Sequence, residues 1–167
     1  FDLIKKAVVE KNISMVFVGP EDPIVKGIYD YFKLDTELSK VKIIAPSKLA
    51  GSLEGSKDFA KNFMKKYNIP TARHKTFTAE NINQADSFLE SMTPPYVLKA
   101  DGLAAGKGVL ILQDLTEAKK ELRNMIIDKK FGKSSSKVVI EEFLDGIELS
   151  CFVLTAVSYT HLRAHET

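Results

Sequence analysis

The chain contains a single cysteine, Cys151, among its 167 residues. That excludes an internal disulfide and fits a reducing, cytoplasmic compartment. Cys151 lies in an apolar, strand-like pattern and reads as a core residue rather than a nucleophile. No apolar run approaches the roughly 20 residues of a membrane span, so no membrane partner is expected. Charge of neither sign dominates: 24 Lys and Arg stand against 22 Asp and Glu, a formal net charge of +2. Such a balance excludes the broad basic field of a nucleic-acid binder, so the lysines matter through their positions. There is no signal peptide: Phe1-Asp2-Leu3 opens on what reads as mid-helix, and the missing initiator Met predicts a truncated start. Hydrophobic residues at 44% and charged residues at 28% are ordinary for a globular chain.

The most informative segment that is present is PYVLKADGLAAGKGV, residues 95–109. An apolar run ends in Lys99. A loop with Gly102, Gly106, Lys107 and Gly108 comes next, and then Val109-Leu110-Ile111-Leu112. This predicts strand, glycine-rich loop, strand, with a cation at each edge of the loop. Glycine lets backbone N–H groups approach a ligand closely, successive N–H groups form an anion-binding concavity, and lysines supply compact positive charge. That chemistry suits a nucleoside triphosphate. The loop is not a Walker A sequence, because Gly108 stands after Lys107 where that pattern needs a magnesium-binding hydroxyl. Residues 109–112 are β-like, so the loop is expected to join two antiparallel strands as a flap over phosphates. On composition alone a glycine-rich hairpin without a ligand remains the alternative.

The rest of the chain alternates helical and strand patterns. Residues 1–11 have helical spacing, and Met15–Val18 and Val41–Ala45 read as buried parallel strands. Pro23–Phe32 between them reads as one helix capped by Asp22. This is a βαβ unit, half of an open α/β sheet. A helix is expected over Ser56–Tyr67, ended by Asn68 and Pro70. Strands are expected over Arg73–Phe77, 96–100, 108–112, Lys137–Glu142 and Glu148–Leu154, and helices over Ala79–Ser91, capped by Thr78, and Thr116–Ile127. The Gly-Lys-Ser-Ser-Ser composition of residues 131–136 predicts a mobile loop. The last residues, SYTHLRAHET, abandon the strand pattern and resemble translated sequencing adapter, so no function is expected of them. His161 and His165 at i, i+4 have no third ligand and are not read as a metal site.

Placement alone singles out several residues. Lys99 ends a strand at the loop. Lys57 opens a helix, where a cation is unfavourable to the macrodipole unless another charge explains it; a phosphate would. Gly19-Pro20-Glu21 comes directly after the first strand, where ligands bind in open α/β sheets, although Glu21 could equally help to start the next helix. Glu141 and Glu142 point to opposite strand faces and make a poor acid/base pair.

SLEGSKDFAKNFM, IPTA, VLKADGLAAGKGV and VIEEFLDGIELS, in this order and spacing, resemble the glycinamide ribonucleotide synthetase family, the phosphoribosylamine–glycine ligases of the ATP-grasp superfamily. VFVGPEDPIVKGI resembles it too, and the similarity runs from about Phe1 to about Thr155. The resemblance implies a fragment of α/β plus α+β class: a partial Rossmann-like substrate-binding domain over 1–46, a linking helical segment over 47–70, an ATP-grasp lid subdomain over 71–155, and a non-native tail over 156–167. It implies an ATP-dependent ligase of purine biosynthesis that joins glycine to 5-phosphoribosylamine through a glycyl phosphate. ATP would be held by Lys57, Lys99, Gly102, Leu103, Ala104, Ala105, Gly106, Lys107, Gly108, Glu141, Glu142, Phe143, Leu144 and Glu148. The adenine edge would meet backbone near Glu141 and Leu144, and Glu148 would accept from the ribose diol. Gly19, Pro20 and Glu21 would touch the amino-sugar substrate. Mg2+ or Mn2+ ligands and much of the glycine site are expected downstream of residue 155, so this fragment alone is expected not to catalyse. Two departures stand out: Ala45-Pro46 replaces the usual Gly-Pro, and Gly51 occupies a position where a larger residue is common. Another ATP-grasp carboxylate–amine ligase and a non-catalytic nucleotide-binding module remain alternatives. Also open are the oligomeric state and whether further purine-pathway domains follow, as in the animal enzyme.

Overall fold

The structure is a computed structural model, and it describes residues 1–103, 107–156 and 159–165. The N-terminal part opens with α1 (Asp2–Glu10) and β1 (Met15–Phe17), continues through α2 (Glu21–Lys26) and α3 (Ile28–Leu34), and reaches β2 (Lys42–Ile44). β1 and β2 pair in parallel, Met15 opposite Lys42 and Phe17 opposite Ile44, as a βαβ unit requires. Their core is Val8, Ile28, Phe32 and Leu38, packed against Val16 and Ile43.

Three expectations fail here. The single helix over Pro23–Phe32 is two helices, because Gly27 takes φ +89° and its N–H closes α2 on the Ile24 carbonyl. Lys48 lies against that glycine, and a Cβ there would stand 3.1 Å from Lys48 Cδ. The helix start is also earlier than expected. Pro20 is the N-cap, and Asp22 instead pairs with Lys26 one turn on at 2.7 Å. Nor are the two strands buried: Met15 is 51% and Phe17 70% exposed, since nothing among the described residues covers that face.

α4 (Lys48–Gly55) and α5 (Lys57–Lys66) come next. Each is capped by a serine, Ser47 accepting from the Ala50 N–H and Ser56 from the Phe59 N–H, the preferred N-cap chemistry. α4 lies close on α2: a Cβ on Gly51 would meet Ile24 Cγ2 at 2.8 Å, and one on Gly55 would meet Val25 Cγ1 at 2.7 Å.

Next come β3 (His74–Thr78), α6 (Ala85–Glu90), β4 (Tyr96–Ala100), β5 (Val109–Leu112), α7 (Leu115–Ile126) and β6 (Lys137–Glu142). The four strands form one antiparallel sheet in the order β3-β6-β4-β5. α6 and α7 supply Leu89, Leu122 and Met125 to its core, against Phe77, Leu98, Val138 and Ile140. Thr78 does not cap a helix. It ends β3, and its N–H donates to Asn81 Oδ1 at 2.7 Å, so a 3-10 turn over Ile82–Gln84 precedes a shorter α6. α7 starts at Leu115 with Asp114 as its cap, the Glu117 N–H donating at 2.7 Å.

β7 (Ser150–Ala156) and β8 (Tyr159–His165) pair antiparallel in a separate two-stranded sheet. The sequence predicts no strand in the tail. Backbone pairing needs only N–H and C=O groups, which side-chain pattern does not reveal. Among the described residues no helix is long and apolar enough to cross a membrane.

Candidate functional site

The glycine-rich segment is a hairpin, as its pattern predicts: β4 and β5 pair antiparallel with Lys99 opposite Val109, and the Ala100 N–H donates to the Gly108 carbonyl at 2.7 Å. Ala104, Ala105 and Gly106, part of the expected phosphate loop, lie outside the described residues. The base of the loop is anchored. The Gly102 N–H donates to the Ser134 carbonyl at 3.3 Å, and Ser134 Oγ donates to the Leu103 carbonyl at 2.9 Å. Residues 131–136 are therefore not a free loop. They form a 3-10 turn over Gly132–Ser135 in which Ser135 is fully buried and its hydroxyl donates to the Gly132 carbonyl.

α5 is brought end-on to this hairpin by Asp101. The Asp101 carboxylate accepts from the Asp58 N–H at 2.8 Å and from Ser56 Oγ at 3.0 Å. The Lys57 N–H donates to the Asp101 carbonyl at 3.3 Å, and Lys57 Nζ lies 3.4 Å from the Gly102 carbonyl. A carboxylate at a helix N-terminus is stabilising. The anion that a cation at this helix start calls for is therefore supplied by the protein, so the placement of Lys57 does not by itself demand a phosphate. Beside it, Asp58 ties α5 to the sheet through Thr76 Oγ1 at 2.7 Å and Lys137 Nζ at 3.2 Å. Burial pushes the Asp58 carboxyl up, but the hydrogen bonds from Thr76 and Lys137 outweigh it and hold it below the usual carboxylate range.

Between α5, β4, β6 and the start of α2 lies a cavity of about 430 Å³. Three lysines line it, Lys57, Lys61 and Lys99, with Glu21, Glu54, Glu141 and Leu103. Glu21 and Glu54 are exposed at the rim, while Glu141 is only 4% exposed. Glu141 Oε2 lies 3.1 Å from Lys99 Nζ and 3.1 Å from Lys61 Nζ. The arrangement offers half-buried ammonium groups, with one buried carboxylate, to an anion entering beside a glycine-rich loop.

Of the residues picked out from sequence, the structure brings Glu21, Lys57, Lys99, Leu103 and Glu141 to this cavity, with Gly102 bonded at its edge. Pro20 adjoins it as the α2 cap, one residue after Gly19. Glu142 turns away as its strand parity predicts: its Oε1 accepts from the Arg73 N–H at 2.7 Å. Lys107, Phe143, Leu144 and Glu148 are exposed and are not in the cavity wall, while Gly108 is buried. Sequence reasoning missed Lys61, Asp101 and Ser134. Only Lys61 carried a signal, standing four residues after Lys57 on the same helix face.

Comparison with known proteins gives a consistent picture. Residues 1–54 match the family described as phosphoribosylglycinamide synthetase, N domain, and residues 55–164 match phosphoribosylglycinamide synthetase, ATP-grasp (A) domain. A phosphoribosylamine–glycine ligase of Listeria innocua serovar 6a is 43% identical over 99% of this chain and 39% of its own length. One from Streptococcus suis is 48% identical over 87% of this chain and 33% of its own. The chain thus spans about two fifths or less of these curated relatives. The crystal structure of the Thermotoga maritima phosphoribosylamine–glycine ligase superposes with a TM-score of 0.65 at 40% identity, covering 80% of this chain and 33% of that one. A Bacillus anthracis D-alanine–D-alanine ligase complexed with ATP, 21% identical, shares the fold with a TM-score of 0.63 over 99% of this chain and 56% of its own.

Proposed function

The chain belongs to the phosphoribosylglycinamide synthetase family, and from that premise we propose that it is the nucleotide-binding portion of an ATP-dependent ligase. In this reading the full-length protein joins glycine to 5-phosphoribosylamine in purine biosynthesis. A glycine carboxylate oxygen attacks the γ-phosphorus of ATP and ADP leaves. The amine of phosphoribosylamine then attacks the acyl carbon of the glycyl phosphate, inorganic phosphate leaves, and glycinamide ribonucleotide forms. The observation that carries the reading is the convergence of Lys57, Lys99 and the anchored base of the glycine loop on one cavity. Lys57 and Lys99 would neutralise phosphate charge, and loop amides beyond Gly102, whose own N–H is taken by Ser134, would cradle it. Catalysis by such a site is positioning and charge stabilisation.

Backbone near Glu141 and Leu144 would meet the adenine edge, with Phe143 packing beside it. A ribose contact for Glu148 rests on the family resemblance alone. Glu21 at the cavity rim supports a contact from Gly19-Pro20-Glu21 to the amino-sugar. Residues 1–46 would then be part of a Rossmann-like substrate domain, a view supported by the uncovered apolar face of β1. Residues 47–70 would be the link, and 71–155 the ATP-grasp lid. Among the described residues there is no group of three or more His, Cys, Asp or Glu that could hold a metal ion. On the family resemblance, the reading assigns Mg2+ or Mn2+ ligands, with much of the glycine site, to the length of the relatives beyond residue 155. The compartment would be cytoplasmic, in keeping with the free Cys151.

The test is phosphate release by the full-length protein, expected only with ATP, glycine and 5-phosphoribosylamine together, and absent for the 167-residue chain alone. In the full-length protein, Lys99→Ala is expected to weaken ATP binding by about 1.5–3 kcal/mol, the value of a hydrogen bond to a charged group. Release with a different amine acceptor, and none with phosphoribosylamine, would overturn the substrate assignment. Unchanged ATP affinity in a calorimetric titration would remove Lys99 from the site.

A further inference from the structure

Glu141 is the only buried carboxylate among the described residues lining the cavity, and two ammonium groups share its Oε2, each at 3.1 Å. The two lysines are not equivalent. The Lys61 side chain is 12% exposed and also donates to Thr71 Oγ1 at 2.7 Å; the Lys99 side chain is 30% exposed. Lys61 is thus held from two sides, whereas Glu141 is the one hydrogen-bond partner found for the Lys99 ammonium among the described residues.

This asymmetry matters once Lys99 is asked to meet a phosphate. A buried carboxylate that loses its counter-charge is strongly destabilised. With Lys99 as its sole partner, every phosphate that recruited Lys99 would strand Glu141, and nucleotide affinity would fall by that cost. With Lys61 in place, Glu141 keeps a counter-charge while the more exposed lysine moves to the ligand. We infer that Lys61 is a positioning residue: it holds the Glu141 carboxylate neutralised so that Lys99 is free to engage the nucleotide phosphates. The inference rests on the nucleotide reading above.

The test is a double-mutant cycle in the full-length protein, with ATP affinity read by calorimetric titration of the wild type, Lys61→Met, Glu141→Gln and the double variant. Circular dichroism checks folding, and Lys61→Gln replaces Lys61→Met if the latter does not fold. Lys61→Met alone is expected to weaken ATP roughly 10- to 100-fold, the range lost with one hydrogen bond to a charged group. In the Glu141→Gln background no charge needs neutralising, and the same substitution is expected to change affinity by no more than about twofold, the tolerance of additivity. Lys61→Arg, which keeps the charge, is expected to retain most of the affinity. An equal loss in both backgrounds would overturn the inference, since either a direct phosphate contact by Lys61 or general damage to α5 gives that result. So would an unchanged affinity for Lys61→Met alone. If the wild type itself does not bind ATP, the nucleotide reading fails first and takes this inference with it.

Discussion

Asp101 joins the glycine-rich hairpin to α5, and replacing it tests whether that joint holds the site together. Its carboxylate accepts the Asp58 N–H at 2.8 Å, and its two oxygens lie 3.0 and 3.1 Å from Ser56 Oγ. A hydroxyl carries one proton, so the two serine contacts are one shared hydrogen bond. The backbone bond to a charged acceptor contributes about 1.5–3 kcal/mol. The favourable position of a carboxylate at the start of α5 adds about 0.3–1 kcal/mol. The serine bond adds less, because a half-exposed Ser56 regains water as partner. Asp101→Ala is therefore expected to lower stability by about 2–4 kcal/mol. Asp101→Asn keeps one acceptor at roughly half strength and is expected to cost about 1–2 kcal/mol. Urea unfolding at constant m reads both values. Amide exchange at Asp58 and Gly102 is expected to quicken in the alanine variant, because freeing Asp101 also loosens the Gly102 contact with Ser134. A loss below about 0.5 kcal/mol for Asp101→Ala, the ordinary range of an unconnected surface change, would refute the claim that this carboxylate clamps the helix to the loop.

Gly51→Ala places a Cβ 2.8 Å from Ile24 Cγ2 and 3.2 Å from the Ile24 carbonyl; overpacking of about 1–3 kcal/mol exceeds the roughly 1 kcal/mol gained in helix propensity, so the melting temperature is expected to fall, and a rise would show that α2 and α4 separate freely. In the full-length protein, Glu148→Gln is expected to weaken ATP more than a 2′,3′-dideoxy analogue, since a carboxylate that accepts from a diol has nothing to accept once the hydroxyls are gone; equal losses would return Glu148 to a solvent-facing role. Asp35, Asp58 and Asp86 are held below their ordinary value of 3.8, and Glu121 below 4.5. Their stabilisation is complete above those values and is lost as pH falls through the depressed ones, so acid unfolding is expected to begin near pH 4 and to be shallower in Asp58→Asn. An identical acid profile for that variant would show that Thr76 and Lys137 do not favour the charged form.

Local rules made much of this chain legible. Alternation and glycine content determined the β4–loop–β5 hairpin, because antiparallel neighbours joined by a short connection need no distant partner. The helix α5 was readable from Ser56, a serine three residues ahead of the N–H it caps. Where reading failed, a longer-range contact decided. Gly27 divides one helical stretch into α2 and α3 in a tight approach to Lys48, and the composition of residues 131–136 gave no hint that Ser134 would tie down the base of the glycine loop.

The charges of the site show the same division. The sequence determined that Lys99 and Lys107 flank a glycine-rich loop, and strand parity determined that Glu141 and Glu142 face opposite ways. It did not determine which acid neutralises which base. Asp101 reaches a helix start 43 residues away, and Glu141 reaches Lys99 across 42 residues, between the neighbouring strands β4 and β6. Those pairings exist only once the sheet order β3-β6-β4-β5 is set and α5 packs beside it. Coulomb attraction falls with distance and with solvent screening. A charge is therefore assigned its partner by the fold that buries it and not by its place along the chain.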